Sequence, residues 1–118
     1  MVFDTTHNYR LAIELFQNAA QVVMGLFTQR GVSFTCEFYA DLDYDDAGRQ
    51  VITMTHDPVA PDVAARKVLR AIREGKTRSL GGRDVDVVAE TICVHSDAPG
   101  ALEVARAVHA ALKDHLAA

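Results

Sequence analysis

The sequence predicts an α/β fold. Three observations carry that expectation: amphipathic segments of helical period, short β-branched or aromatic runs between them, and glycine or proline at most changes of period. Taken in order, the elements read helix, strand, loop, helix, turn, strand, helix, an alternation that favours parallel strands joined by crossovers.

The first helix is expected from Asn8 to about Arg30, with Leu11, Leu15, Ala19, Val22, Val23 and Leu26 at three- and four-residue steps. Asp4, Thr5 or Thr6 can cap its start, and Gly31 stops it. From Val32 to Tyr39, alternating Val32, Phe34, Cys36 and Phe38 predict a half-buried strand. The acidic stretch from Ala40 to Gly48 reads as a functional loop or an exposed turn before the apolar run Val51 to Met54. A second helix is expected over Asp62 to Glu74, with Ala64, Val68, Ala71 and Ile72 inward and Arg66, Lys67, Arg70 and Arg73 on a solvated face. Gly75 ends it. Gly81-Gly82 predicts a tight turn between short extended pieces, and it lacks both the GxxxxGK[ST] pattern and a following helix that a phosphate loop requires. Thr91 to His95 reads as a buried strand. The last helix follows with Pro99 in its first turn and Ala101, Val104, Ala105, Val108, Leu112 and Leu116 as its inward stripe.

At 118 residues and 49% hydrophobic content, the expectation is a single domain over 1–118, with 1–31 as an N-terminal helical segment. A net charge of -4 offers no basic field for nucleic acid. No apolar stretch reaches the roughly 18 residues of a membrane span, and the first residues lack the layout of a secretory signal. A cytoplasmic protein is expected, with no membrane or nucleic-acid partner. Cys36 and Cys93 are too far apart for a CxxC site and are expected as buried thiols. Two or three main strands with three helices form only part of a sheet, so completion by oligomerisation is expected.

Two stretches resemble a known family. Glu90-Thr91-Ile92-Cys93-Val94-His95-Ser96-Asp97-Ala98-Pro99-Gly100-Ala101 is similar to the closing D-T-I-C-V-H-G-D-T-P-G-A sequence of LamB/YcsF proteins, the A-type component of 5-oxoprolinase. Glu37-Phe38-Tyr39-Ala40-Asp41-Leu42-Asp43-Tyr44 is similar to that family's E-x-F-A-D-R-x-Y segment. The resemblance spans roughly residues 32–116 and covers only the C-terminal part of the family; residues 1–31 match poorly and read as a replacement helix. It implies a fragment of a TIM-like β/α barrel and a role in ATP-dependent opening of 5-oxoproline to glutamate, with ATP handled in a complex with B- and C-type partner subunits. Nothing in the chain resembles the family's D-L-N-x-D-x-G-E or A-C-G-x-H-A-G-D segments. Leu42, Ser96 and Ala98 also depart from the family's arginine, glycine and threonine, and loss of the arginine removes a fixed cation.

His95 and Asp97 follow a strand and precede a helix, where parallel α/β folds gather ligand-binding groups. They are the candidate catalytic pair, His95 moving protons and Asp97 orienting it. The bland alternative makes Asp97 or Ser96 an N-cap. Glu37 and Asp41, with Ser96 and Gly100 from the closing motif, are the candidate substrate-binding residues. Glu37, Asp41 and Asp43 share strand parity, while Asp43, Asp45 and Asp46 read as structural. His7, His56, His109 and His115 form no metal-ligand pair and no metal-binding residue is assigned, while the metal requirement is left open. The expected function is a short or split component of the A type of 5-oxoprolinase, incomplete alone. Its alternative is a noncatalytic assembly or regulatory module, or a small-molecule-binding homo-oligomer.

Overall fold

The structure, a computed structural model, describes residues 22–117, and the chain falls into two compact units, Met1–Phe34 and Thr35–Ala118. In the first unit, residues 22–29 are helical (α1). The expected start at Asn8, its caps and Leu11, Leu15 and Ala19 lie outside the described residues. The end is as expected. Val32 N–H donates to Phe27 C=O at 2.9 Å and Gly31 N–H to Thr28 C=O at 3.3 Å, the paired bonds of a Schellman stop.

The second unit runs β1 (Glu37–Tyr39), β2 (Asp43–Tyr44), β3 (Gln50–Val51), α2 (Pro61–Glu74), β4 (Lys76–Arg78), β5 (Asp84–Asp86), β6 (Thr91–Cys93) and α3 (Ala101–Ala117). It is a mixed α/β arrangement. Parallel pairing occurs between β1 and β6, with Glu37 opposite Thr91, Phe38 opposite Ile92 and Tyr39 opposite Cys93. The other two pairings, β2 with β3 and β4 with β5, are antiparallel hairpins, so the expected parallel arrangement holds only for the strand pair that crosses over through α2.

The core forms where that pair meets the two long helices. Phe38 from β1, Ala40 and Tyr44 beyond it, Ala64, Val68 and Ala71 from α2, and Val104 and Val108 from α3 are buried together. Small residues on α2 let it approach α3 closely, and the two helices pack on one another. α2 carries Pro61 in its first turn and ends at Gly75, whose φ of 65° is left-handed and whose N–H returns to Ala71 C=O at 3.0 Å.

Several expectations are corrected. The strand expected over Val32 to Tyr39 is three residues long, because only Glu37 to Tyr39 face β6; Val32 and Phe34 are exposed. The acidic stretch after β1 is not simply an exposed turn, since Ala40, Leu42 and Tyr44 are buried, the Asp41 side chain is nearly buried as well, and only Asp43 among the alternating carboxyl residues up to Tyr44 is exposed. The Gly81-Gly82 turn is present, and this β4–β5 hairpin is joined to the β2–β3 hairpin: Leu80 N–H donates to Tyr44 C=O at 2.9 Å and Ser79 Oγ to Asp46 at 2.5 Å. β6 is only half buried, having a single strand neighbour among the described residues. Cys36 and Cys93 are free, as expected, but half buried rather than buried. On α3, Leu116 faces outward with 82% exposure because the core ends near Leu112. No described helix is long and apolar enough to cross a membrane.

Candidate active site

β1 and β6 are parallel and in register, so residues at equal distance beyond their ends share a face. Tyr39 lies opposite Cys93, and Ala40 N–H donates to Cys93 C=O at 3.0 Å to extend the pairing. Asp41 and His95 are each two residues further on. Their side chains meet there: the Asp41 carboxyl accepts the His95 backbone N–H at 2.6 Å through Oδ2 and faces His95 Nδ1 at 2.9 Å through Oδ1. The Asp41 side chain is only 3% exposed, whereas that of His95 is 29% exposed. With the carboxylate accepting, the hydrogen is assigned to Nδ1 and Nε2 is left to act on a ligand.

Two further rings shape this point. Tyr39 lies 5.6 Å from the His95 ring, centroid to centroid, at 15° between planes, and His56 lies at the same distance at 18°. The His56 Nε2 is 3.8 Å from Asp97. Burial first, and the Glu37 carboxyl next, push the Tyr39 phenol up from its ordinary pKa. Tyr44 sits beneath the bend, stacked on Phe38 at 5.2 Å, and its oxygen accepts the Tyr39 N–H at 3.0 Å. Burial pushes the Tyr44 phenol up to about 12, although the Tyr39 N–H works against that rise.

A cavity of about 150 Å³ opens beside Asp41, with Asp43, Thr53, His56, Asp57 and Lys67 among its walls. Lys67 donates to Leu42 C=O and lies 5.1 Å from the Tyr44 ring centre and 5.7 Å from that of Phe38. Burial lowers its pKa against the pull of Asp43 and Asp41. It is therefore not a member of a solvated basic face, as expected from its place among Arg66, Arg70 and Arg73. Its stem leans onto the core and its ammonium is held at the bend.

Of the residues expected at the site, the structure bonds His95 directly to Asp41 and to no other. Asp97 does not touch His95; its side chain is 72% exposed. Neither Asp97 nor Ser96 caps α3. The chain instead enters that helix through Ala98 to Ala101, with Ala101 N–H donating to Ala98 C=O at 3.2 Å. Pro99 stands at the second position and Gly100, with a φ of 75°, at the third, the pattern of a type II turn. Gly100 C=O then receives the Val104 N–H at 3.1 Å, which makes Gly100 the cap residue. Ser96 is exposed and borders a separate cavity of about 290 Å³ with His95 and Ala101. Glu37 shares the parity of Asp41 but stands at the opposite end of β1, level with Thr91. Asp45 and Asp46 are structural, as expected: Asp45 takes the Ala47 and Arg49 N–H groups at 2.9 and 3.0 Å. Sequence reasoning passed over His56, Tyr39 and Lys67. The one available signal was the shared two-residue offset of Asp41 and His95 from the strand ends, which becomes visible only once the register is known. Among the described residues, no group of three or more His, Cys, Asp or Glu side chains is arranged to hold a metal ion.

The profile of the LamB/YcsF family matches residues 1–118, so the likeness also includes residues 1–31, which were expected to match poorly as a replacement helix. The chain is 48% identical over 77 residues to the 5-oxoprolinase A-subunit 1 of Pseudomonas aeruginosa, covering 65% of this chain and 31% of that one. It is 37% identical over 98 residues to the 5-oxoprolinase A-subunit 1 of Pseudomonas putida, covering 83% and 39%. The crystal structure of the lactam utilization protein from Thermus thermophilus matches with a TM-score of 0.64 at 34% identity, over 75% of this chain and 35% of that one. The chain thus spans about a third of the length of these relatives. With the family profile matched along all of its residues and the closing motif carrying the His95 site, the chain belongs to the LamB/YcsF family.

Proposed function

We propose that the chain is a 5-oxoprolinase component of the A type that contributes the Asp41–His95 pair to hydrolysis of a small lactam, 5-oxoproline in the first instance. The observation that carries this is the double hold of a nearly buried carboxyl on a half-exposed imidazole at the ends of two parallel strands. Opening a lactam requires a proton to leave the attacking water and another to reach the ring nitrogen as its C–N bond breaks. His95 Nε2 performs both transfers in turn, and Asp41 fixes the ring and stabilises the imidazolium between them. Lys67, at the wall of the adjoining cavity, supplies a cation for a ligand oxygen.

ATP does not suit this cavity. Asp41, Asp43 and Asp57 are set there against one lysine, an arrangement that repels a polyphosphate. The nucleotide step is therefore assigned to partner subunits, and none of the chemistry above passes through it. The β1–β6 pair, with one strand neighbour each among the described residues, is read as a piece of a TIM-like barrel that further polypeptide or a second copy completes, in the cytoplasm. The alternative, a noncatalytic assembly module, is favoured by Leu42 standing where the family pattern has arginine.

Light scattering of the purified chain, alone and mixed with a polypeptide bearing the family's N-terminal motifs, tests this proposal. A stable mixed complex is expected. A homo-oligomer of unchanged mass in the mixture would favour the module instead.

A further inference from the structure

A second cavity, of about 310 Å³, lies between α2 and β4 and shares Lys67 with the Asp41 cavity. Arg66, Lys67, Arg70 and Arg78 line it against one carboxyl, that of Asp43. Thr77 also lines it; this residue is 1% exposed, and its Oγ1 is buried with no hydrogen-bond partner. A buried hydroxyl without a partner costs stability and calls for an explanation.

The cations here are already disposed to grip an oxyanion. Arg70 holds both oxygens of Asp84, Nη1 to Oδ1 at 2.9 Å and Nη2 to Oδ2 at 2.7 Å. Arg78 Nε approaches the same carboxylate at 3.3 Å. Arg66 pairs at 2.7 Å with Asp62, and both of those side chains are about two-thirds exposed, so screening leaves little to hold that pair together. Lys67 has no carboxylate within ion-pair reach among the described residues; its ammonium is bonded to Leu42 C=O. Planar guanidinium groups with a nearby ammonium match the oxygens of a phosphate group; Asp84 is an internal anion on the Arg70 fork and beside Arg78 Nε, while Glu74 holds Arg70 Nε at 2.9 Å and Gly82 C=O accepts from Arg78 Nη1 at 2.7 Å.

We infer that the cavity between α2 and β4 binds a phosphate-type oxyanion, inorganic phosphate or a phosphomonoester, through Arg66, Lys67, Arg70 and Arg78, with the Thr77 hydroxyl completing its hydrogen bonds. The cavity shares Lys67, Asp43 and Val63 with the one beside Asp41, but the inference does not depend on the lactam proposal, because its test involves no hydrolysis and its arginines do not line that other cavity.

The test is titration of the full chain with inorganic phosphate and with glycerol 3-phosphate, followed by calorimetry and by amide NMR shifts at Thr77 and Arg78. Saturable binding is expected. Replacing both outer arginines (Arg66→Gln with Arg78→Gln) should weaken it at least about tenfold, the scale of one charge-assisted contact. Thr77→Val should weaken it several-fold without lowering the melting temperature, since the orphan hydroxyl is removed as well. Asp84→Asn should strengthen it, because the internal competitor is neutralised. Tighter binding of glycerol 3-phosphate than of phosphate would identify an organic ester as the ligand; equal binding would identify the free anion. Absence of saturation with either, or affinities unchanged in the arginine and threonine variants, would overturn the inference.

Discussion

Asp41 and Asp97 offer a comparison between two carboxyl groups. Asp41 makes two contacts to His95 from a side chain that is 3% exposed, whereas Asp97 is 72% exposed and 3.8 Å from His56. Asp41→Asn should therefore lower lactam turnover in a reconstituted complex by about a hundredfold or more, since a general acid–base group that loses its orientation forfeits contributions of that order. Asp97→Asn should change turnover only a few-fold and stability by less than about 0.5 kcal/mol. Steady-state rates and melting curves of the two variants check this; the reverse order would assign the orienting role to Asp97. Tyr44 has a different signature. Its folded pKa is raised to about 12 by burial, so the neutral phenol is the form the fold favours. That stability is fully present below the unfolded value near 10 and is lost as pH rises from there through about 12. Tyr44→Phe should flatten the alkaline limb of the stability curve and cost about 1 kcal/mol near neutrality, because the Tyr39 N–H loses its acceptor. Denaturant melts at a series of pH values would show it. His95 and Asp41 were each legible in the sequence as chemistry-bearing residues, but their pairing was not: 54 positions separate them, and no local periodicity records which strand lies beside which.

Among the elements, α2 was legible nearly to the residue, because an apolar stripe and a glycine stop each act locally. The strands were not. Eight residues of β-like pattern yielded a three-residue β1, since strand length is decided by the partner and β6 offers three residues to pair with. Alternation in Val32 to Phe38 records propensity rather than pairing. The stop of α2 supports a direct test. Gly75→Ala places a Cβ on a backbone with a φ of 65°, 3.6 Å from Val87 C=O. The space is ordinary but the conformation is not, so a loss of about 1 kcal/mol is expected from the backbone alone. Equilibrium denaturation with an unchanged m-value would report it; an unaltered midpoint would mean that the αL conformation is not enforced in solution.

Over the whole molecule, class and family were legible, and the extent of the likeness was underestimated, since the family profile includes residues 1–31 as well. Those residues carry helical periodicity without a distinctive motif, which is why a reading by motif passed over them. Several large apolar side chains stand outward in each unit separately, among them Val22 and Phe27 in the first and Leu80, Leu102 and Leu116 in the second, and a two-stranded parallel sheet is seldom left with open edges in a finished structure. Both features accord with the proposal that the lactam site is completed by further polypeptide. The most direct test is ATP-dependent release of glutamate from 5-oxoproline by the chain combined with a polypeptide carrying the family's N-terminal motifs and with the B- and C-type partners, using wild-type protein and His95→Gln side by side. Turnover that requires the chain and falls by about a hundredfold or more in the variant is the expected result. Turnover equal in the variant, or none in the complete mixture despite stable assembly, would contradict a catalytic role for the Asp41–His95 pair.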